Sequence, residues 1–144
     1  MEILKIKTEN RRIGDFGEKQ ALRYLRRAGY KIVKRGYVAA GHEIDLIAEN
    51  RSAVVFVEVK TRSVGKEDPR TPRPASAVTP EKQRSIIAAA KYYLAGMKEP
   101  KPTRLDVIEV YVTSAGKRLR RQSINHIENA FNYNTAHPTR FRKD

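Results

Sequence analysis

Two apolar segments of this chain carry charged residues whose types and spacing suit chemistry on a phosphate ester. The first is His42-Glu-Ile-Asp-Leu-Ile-Ala48, and the second is Val54-Val-Phe-Val-Glu-Val-Lys60. They place Asp45, Glu58 and Lys60 among Val, Ile and Phe, where a charged side chain is costly unless it has a partner. Two carboxylates and one ammonium group at one place are what metal-dependent phosphodiester cleavage requires.

The two segments are typical of adjacent strands in a β-hairpin. A two- or four-residue turn predicts that Asp45 pairs with Phe56, and that Glu43 pairs with Glu58. Side chains alternate along a strand, so Asp45, Glu58 and Lys60 are expected on one face. The opposite face would carry the valines at 55, 57 and 59. Diagonal neighbours lie roughly 7–8 Å apart at the backbone, which lets both carboxylates reach one Mg²⁺.

Two further polar residues lie on the apolar faces of predicted helices. Glu18 shares a stripe with Leu22 and Leu25, so it is either a third acid near the metal site or a rim residue with a basic partner. Gln83 lies in the first turn of the second predicted helix. Its amide is expected either to bind the catalytic lysine or a phosphate, or simply to be solvated.

Each of these signals has a structural alternative. A Glu-x-Lys sequence on a strand is commonly an ion pair, so the combination of acids on a helix and two strands carries the catalytic interpretation. His42 precedes a strand, and His126 and His137 have no suitable neighbours in the sequence pattern, so we expect all three to be structural or solvated. Asp106 is expected to pair with a basic residue.

The composition indicates a polyanionic partner. The 144 residues contain 30 Lys and Arg against 16 Asp and Glu, a formal charge of +14. Such a surface attracts nucleic acid and releases its counterions on binding. A membrane surface is the competing partner, but the sequence has no basic amphipathic helix with a large aromatic face. With no cysteine, thiolate metal sites are excluded, and with no signal peptide we expect a cytoplasmic protein.

The periodicity predicts the element order α-β-β-β-α-β-β, an α/β fold with a mixed sheet and a helix on each side. The helices are expected from Arg11 to Ala28 and, capped by Thr79, from Pro80 to about Ala95. The strands are expected over residues 30–37, 43–48, 53–60, 104–112 and 119–127. A Pro- and Arg-rich loop is expected over residues 61–77. One domain would cover residues 1–131, followed by a basic, flexible tail over residues 132–144.

A family resemblance rests on five short segments. They are Gly17-Glu18, Gly41-His-Glu-Ile-Asp-Leu-Ile-Ala48, Phe56-Val-Glu-Val-Lys-Thr-Arg62, Ala77-Val-Thr-Pro-Glu-Lys-Gln83 and Arg104-Leu-Asp-Val107. Over residues 10–130 the chain resembles the YraN family of small bacterial proteins. That family is similar to the restriction-endonuclease-like PD-(D/E)xK nucleases, and within them to archaeal Holliday-junction resolvases. The proline of the superfamily motif is replaced here by Ile44.

The resemblance implies a restriction-endonuclease-like αβββαβ core and a site that uses Mg²⁺ or Mn²⁺. It implies Glu18, Asp45 and Glu58 as metal ligands, Lys60 as the motif lysine and Gln83 as a helper. Because junction resolvases act as symmetric dimers, it also implies a homodimer, although the sequence shows no dimer face.

We therefore predict an endonuclease that hydrolyses DNA phosphodiester bonds. The residues leave junction, flap, duplex and single-stranded DNA open as substrates, and the resemblance to junction resolvases points to branched or junction DNA. The alternative is a non-catalytic module that binds DNA or structured RNA. Phosphate contacts are expected from basic residues in and beside the loop, namely Arg62, Lys66, Arg70, Arg73, Lys82 and Arg84.

Overall fold

The computed structural model of the protein describes residues 2–65 and 78–138. Its helices and strands, in chain order, are α1 (Glu2–Arg27), β1 (Lys31–Ala39), β2 (His42–Glu49), β3 (Val54–Ser63), α2 (Pro80–Ala95), β4 (Thr103–Ala115), β5 (Arg118–Ile127) and α3 (Tyr133–Ala136). Among the described residues, no helix has the length and apolar character needed to cross a membrane.

The five strands form one sheet in the order β1-β2-β3-β4-β5. Strands β3 and β4 are parallel, and the other neighbours are antiparallel. A parallel pair needs a crossover connection, which α2 provides. The mixed sheet with helices on both faces confirms the predicted α/β fold and is consistent with a restriction-endonuclease-like core.

Alternation along β3 divides the core into two layers. Val55 and Val57 face α1, together with Ala21, Leu22 and Leu25 of that helix. Val54 and Phe56 face α2, where they pack with Ile86, Ile87, Ala89 and Ala90. The prediction that Val55, Val57 and Val59 share one face of β3 is confirmed, because Val59 packs against the same layer.

Helix α2 has the predicted boundaries. The Thr79 side chain accepts a hydrogen bond from the Lys82 N–H at 3.2 Å, Pro80 occupies the first helical position, and Gly96 is the C-cap. Helix α1 is longer than predicted, because it begins at Glu2 instead of Arg11. Its first turns carry exposed Ile3, Leu4 and Ile6, so they add no buried stripe from which the sequence could reveal a helix.

The predicted loop and tail are only partly described. Residues 61–63 belong to β3, and residues 66–77 lie outside the described part of the chain. In the segment expected to be flexible, Tyr133–Ala136 form the short helix α3, and Ala136 is fully buried. Residues 139–144 also lie outside the described residues.

Candidate functional site

The Asp45 carboxylate lies where β2 and β3 stop pairing. The ladder between these strands runs from Glu49 opposite Val54 to Leu46 opposite Val57. Just beyond its end, the Val59 N–H donates a hydrogen bond to Asp45 Oδ2 at 2.8 Å. The side chain of Asp45 therefore binds the β3 backbone between the two charged residues Glu58 and Lys60.

The predicted register of this hairpin is wrong by two residues. Ile47, and not Asp45, faces Phe56. Continuing the observed register brings Asp45 opposite Glu58, where a diagonal relationship was expected. Because two residues are one full period of a strand, the shift leaves the alternation of faces unchanged.

The turn explains the shift. Asn50 Oδ1 accepts hydrogen bonds from the N–H groups of Ser52 and Ala53, at 2.8 and 2.9 Å. This Asx-type arrangement closes a turn of residues 50–53, so Glu49 and Val54 become the flanking pair. The prediction had placed the flanking pair one residue earlier on each strand.

Glu58 and Lys60 form an ion pair at the open end of β3. Lys60 Nζ lies 3.5 Å from Glu58 Oε1. Glu58 is only 6% exposed, and burial, followed by the negative charge of Asp45, raises the pKa of its carboxyl to about 7. The positive charges of Lys60 and Lys82 oppose this rise but do not cancel it. The pair of lysines therefore neutralises the site only in part.

Asp45 is destabilised as an anion in the same way. Burial is the largest cause of its raised pKa, and the charge of Glu43 adds to it. The hydrogen bond from Val59 and the charges of Lys82 and Lys60 act in the opposite direction. The ionised forms of these two neighbouring carboxyl groups are unfavourable in the metal-free site, and a cation bound beside them would stabilise both.

Helix α1 brings Glu18 to the same region. Burial, and then the charge of Asp45, raises the pKa of the Glu18 carboxyl. Asp45 is thus the acid that acts on both Glu18 and Glu58. The approach of α1 to β3 depends on Gly17, because a Cβ at this position would collide with the Thr61 side chain.

A cleft of about 360 Å³ opens between α1 and the end of β3. Glu18, Asp45 and Lys60 all line it, so the three residues share one solvent-accessible space. The remaining lining comes from Asn10, Ile13, Gly14, Val59, Thr61 and Ser63.

The donor set fits a divalent cation of the Mg²⁺ type. Within residues 2–65 and 78–138, three Asp, Glu or His side chains nowhere converge closely enough to form a complete protein metal cage. Mg²⁺ does not require one, because it is commonly held by one or two carboxylates and completes its shell with water and substrate phosphate. Asp45 and Glu58, which interact electrostatically, would provide such a carboxylate pair. Glu18 lines the cleft together with Asp45, whereas Glu58 is not among the lining residues.

A larger cavity, of about 530 Å³, lies at the opposite end of the sheet, beside the β2–β3 turn. Its acid, Glu49, lies 3.7 Å from Lys101 Nζ, and that lysine also donates to the Asn50 carbonyl at 3.2 Å. The acid of this cavity is therefore paired with a lysine. The smaller cleft, whose carboxylates are only partly neutralised, is the better candidate for the functional site.

Gln83 has a structural place. Its Nε2 donates to the Val78 carbonyl at 2.8 Å, and its Oε1 accepts from Thr135 Oγ1 at 2.7 Å. The side chain is buried with both ends of its amide bound inside the scaffold. It therefore ties α3 to the start of α2, and we do not include it among the catalytic groups.

Three of the six expected phosphate-binding residues, Arg62, Lys82 and Arg84, lie in the described part of the chain. Lys82 is exposed, and its charge acts on Asp45 and Glu58, which places it near the cleft. Arg62 is half-buried at the end of β3, whereas Arg84 Nη1 donates to the Ala136 carbonyl at 2.8 Å. The other three, Lys66, Arg70 and Arg73, lie outside the described residues.

One buried acid beside the site was not predicted from the sequence. Glu109 of β4 is the register partner of Lys60 and is 2% exposed. Its Oε1 accepts a hydrogen bond from Asn125 Nδ2 at 2.9 Å. The available signal was the one used for Asp45, an acid inside an apolar run, here Val107-Ile-Glu-Val110.

Asp106 has the basic partners expected of it. It accepts hydrogen bonds from Arg104, with Nη2 at 2.9 Å from Oδ2, and its Oδ2 lies 2.7 Å from His126 Nε2. His126 Nδ1 lies 3.0 Å from the Tyr24 hydroxyl, so this histidine is structural, as expected, through contacts that the sequence pattern did not show. Burial acts to raise the Asp106 pKa, but the hydrogen bonds from His126 and Arg104 lower it overall. These residues form scaffold.

Comparison with known proteins gives one consistent family. Residues 17–110, more than half of the chain, match the model described as "Uncharacterised protein family UPF0102". A UPF0102 protein of Chlorobaculum parvum is 44% identical over 122 residues, which cover 83% of this chain and 91% of that protein. A UPF0102 protein of Caldanaerobacter subterraneus subsp. tengcongensis is 39% identical over 127 residues, 87% of this chain and 98% of that protein.

Proposed function

We propose that this chain, which belongs to the UPF0102 family, is a metal-dependent endonuclease acting on branched or junction DNA. The observation that carries the proposal is the conjunction of Asp45, Glu58 and Lys60 at one end of β3. Two carboxyl groups there have raised pKa values, and the ammonium group beside them leaves their charge only partly neutralised. A chain with a net charge of +14 supplies the attraction for a polyanion.

Asp45 and Glu58 would hold Mg²⁺ or Mn²⁺, with Glu18 acting directly or through a water molecule. When bound, such a cation lowers the pKa of water and neutralises charge on the phosphate oxygens. The chain's own residues do the positioning. Val59 fixes the Asp45 carboxylate through its N–H, and the buried end of β3 fixes Glu58.

Lys60 is suited to two tasks. Its ammonium group lies 3.5 Å from Glu58 Oε1 and also lines the cleft, so it can orient an attacking water or stabilise charge that builds on the phosphate. Lys82 and Arg62 would bind backbone phosphates, which positions DNA without reading its sequence. Lys66, Arg70 and Arg73 of the adjoining segment are proposed for the same task from their sequence positions.

A second candidate is a non-catalytic module that binds DNA or structured RNA. The contact between Lys60 and Glu58 favours it, because the same pair could serve only to keep Glu58 buried. The raised pKa values of Asp45 and Glu58 favour the nuclease, since strongly perturbed carboxyl groups cluster at functional sites.

The test is incubation of purified protein with labelled four-way junction, flap, duplex and single-stranded DNA, with Mg²⁺, Mn²⁺ or EDTA. The nuclease proposal expects cleavage that needs the cation and is lost in Asp45→Asn, Glu58→Gln and Lys60→Ala. Glu49→Gln, at the other end of the sheet, is the matched control and should cleave normally. Lys82→Ala should mainly weaken binding.

Two results would contradict the proposal. Cleavage that persists in Asp45→Asn would indicate another site or a contaminating enzyme. Tight binding of every substrate with no cleavage under any cation would favour the non-catalytic module.

A further inference from the structure

Two aromatic rings are exposed side by side at the end of α3. The rings of Tyr133 and His137 are stacked, with centroids 4.1 Å apart and planes inclined by 25°. Tyr133 is 57% exposed, and His137 is also exposed. An isolated exposed aromatic residue is common, and what distinguishes this pair is that two exposed rings are stacked on one another.

The rings are held in fixed positions. His137 Nδ1 lies 2.9 Å from the Tyr133 carbonyl oxygen, and since that oxygen can only accept, Nδ1 carries the proton. This bond fixes the plane of the imidazole against the tyrosine. The pair therefore offers a stacking surface whose shape is already set before any ligand arrives.

The helix beneath the rings is anchored at several points. Asn132 and Thr135 form a reciprocal capping box, and Thr135 Oγ1 also donates to Gln83. Phe131 and Ala136 are buried in the core layer that faces α2. Because α3 is already ordered, a ligand that binds there does not have to order it, which reduces the entropic cost of binding.

A cation completes the surface. Lys91 Nζ of α2 lies 5.6 Å from the centroid of the Tyr133 ring. Lys82, whose charge acts on Asp45 and Glu58, lies on the same helix, about two and a half turns earlier and therefore on its opposite side.

We propose that the Tyr133–His137 pair, with Lys91, is a stacking subsite for an unpaired base of the DNA substrate. The inference rests on the proposed function and deepens it by naming the substrate class, DNA with a single-stranded arm or flap. An exposed base has an aromatic face that stacks on a ring, and Lys91 would bind the neighbouring phosphate. Paired bases inside a duplex do not offer that face.

The test is equilibrium binding of the full-length protein in EDTA, where cleavage is blocked, to fluorescent single-stranded, flap and blunt duplex DNA. Tyr133→Ala should weaken binding of the single-stranded and flap DNA by about tenfold, as expected for the loss of one stacked base, and leave duplex binding unchanged. Tyr133→Phe keeps the ring and should bind like the wild type. Tyr92→Ala removes a similarly exposed tyrosine of α2, 67% exposed, and should have no effect.

Tyr133→Leu guards against a folding artefact, because it keeps apolar bulk over α2 while removing the ring; it should show the same selective loss. Equal weakening of duplex and flap binding, or no weakening by Tyr133→Ala or Tyr133→Leu, would overturn the subsite. Wild-type protein that binds DNA but never cuts it would overturn the nuclease and leave the subsite measurable. A wild type that binds no DNA would overturn both.

Discussion

The Asp45 carboxylate is bound to the Val59 N–H, at a distance of 2.8 Å, at the point where β2 and β3 no longer pair. This bond places one acid of the site against the backbone between Glu58 and Lys60. It also means that an amide at position 45 can keep the same contact, because the oxygen of Asn accepts a hydrogen bond as readily. Charge and geometry at this position can therefore be separated experimentally.

We expect Asp45→Asn to leave the stability of the metal-free protein unchanged or to raise it, by up to about 1 kcal/mol. The substitution removes repulsion with Glu58 and Glu18 while keeping the acceptor for Val59. It should also abolish the rise in Tm that we expect Mn²⁺ to give the wild type, since a ligand that binds only the native state stabilises it. Thermal melts with and without Mn²⁺ measure both effects.

Asp106→Asn is the matched control with the opposite sign. Asp106 is 0% exposed and carries the contacts to Arg104 and His126, so its neutralisation leaves Arg104 without its main partner. We expect a loss of about 3–5 kcal/mol, as for other broken buried pairs. A comparable loss in Asp45→Asn, with no metal response in the wild type, would make Asp45 scaffold as well.

The raised pKa of Glu58 predicts a pH dependence of stability. Its value of about 7 in the folded protein lies above the ordinary 4.5, so the folded state binds the extra proton between these two values. Below pH 4.5 the carboxyl group is protonated in both the folded and the unfolded state. As the pH rises towards 7, the unfolded chain ionises first, and the free energy of unfolding falls by about 3 kcal/mol over the whole interval.

Glu58→Gln should therefore flatten the pH dependence between pH 4.5 and 7. It should stabilise the metal-free protein at pH 8 relative to wild type and give no gain at pH 4.5. Urea unfolding at a series of pH values measures this. A steeper dependence in the variant would show that Lys60 outweighs burial and Asp45 at this position.

Two glycines of α1 should respond to alanine with opposite signs. A Cβ on Gly17 would meet the Thr61 side chain, whereas one on Gly14 would meet nothing within 4 Å. We expect Gly17→Ala to destabilise the protein by about 1–3 kcal/mol and to displace Glu18 from the cleft. Gly14→Ala should stabilise it by up to about 1 kcal/mol, because alanine favours a helix.

Denaturant melts of the two variants give the comparison, and Mn²⁺ stabilisation of Gly17→Ala reports on the position of Glu18. Equal effects at both positions would mean that the contact of α1 with β3 is looser than the structure describes.

DNA binding should depend steeply on salt. With about six phosphates neutralised, affinity should fall on the order of a thousandfold between 50 and 200 mM salt. Lys82→Ala should reduce the slope by about one phosphate contact, as expected for a residue that binds the backbone only. Titrations at several salt concentrations measure both slopes, and salt-independent binding would contradict a phosphate-driven interaction.

Much of the fold could be predicted from the sequence because its signals are local. The apolar run of residues 54–57, rich in Val and Phe, identifies a strand with two buried faces, and Thr79-Pro80 identifies the start of α2. The first turns of α1 gave no such signal, since Ile3, Leu4 and Ile6 remain exposed.

The candidate site was predictable in its residue types but not in its contacts. Registers that differ by two residues have the same alternation, so the sequence could not distinguish Phe56 from Glu58 as the neighbour of Asp45. The engagement of Gln83 with Thr135 joins residues far apart in the chain, and no local pattern reports it. The hydrogen bond between His126 and Tyr24 also joins residues far apart in the chain, so no local pattern reports it either.

The mixed topology of the sheet has a consequence for the order of folding. Strands β1, β2 and β3 follow one another through short turns, whereas β4 pairs with β3 only after the chain has passed through α2. Closing that long connection costs more entropy, so we expect the three-stranded meander to form early and β4 to dock late. The contact of Asp45 with Val59 lies inside the early unit. Repulsion between Asp45 and Glu58 would then slow folding from its first steps, and a divalent cation should speed refolding as well as slow unfolding.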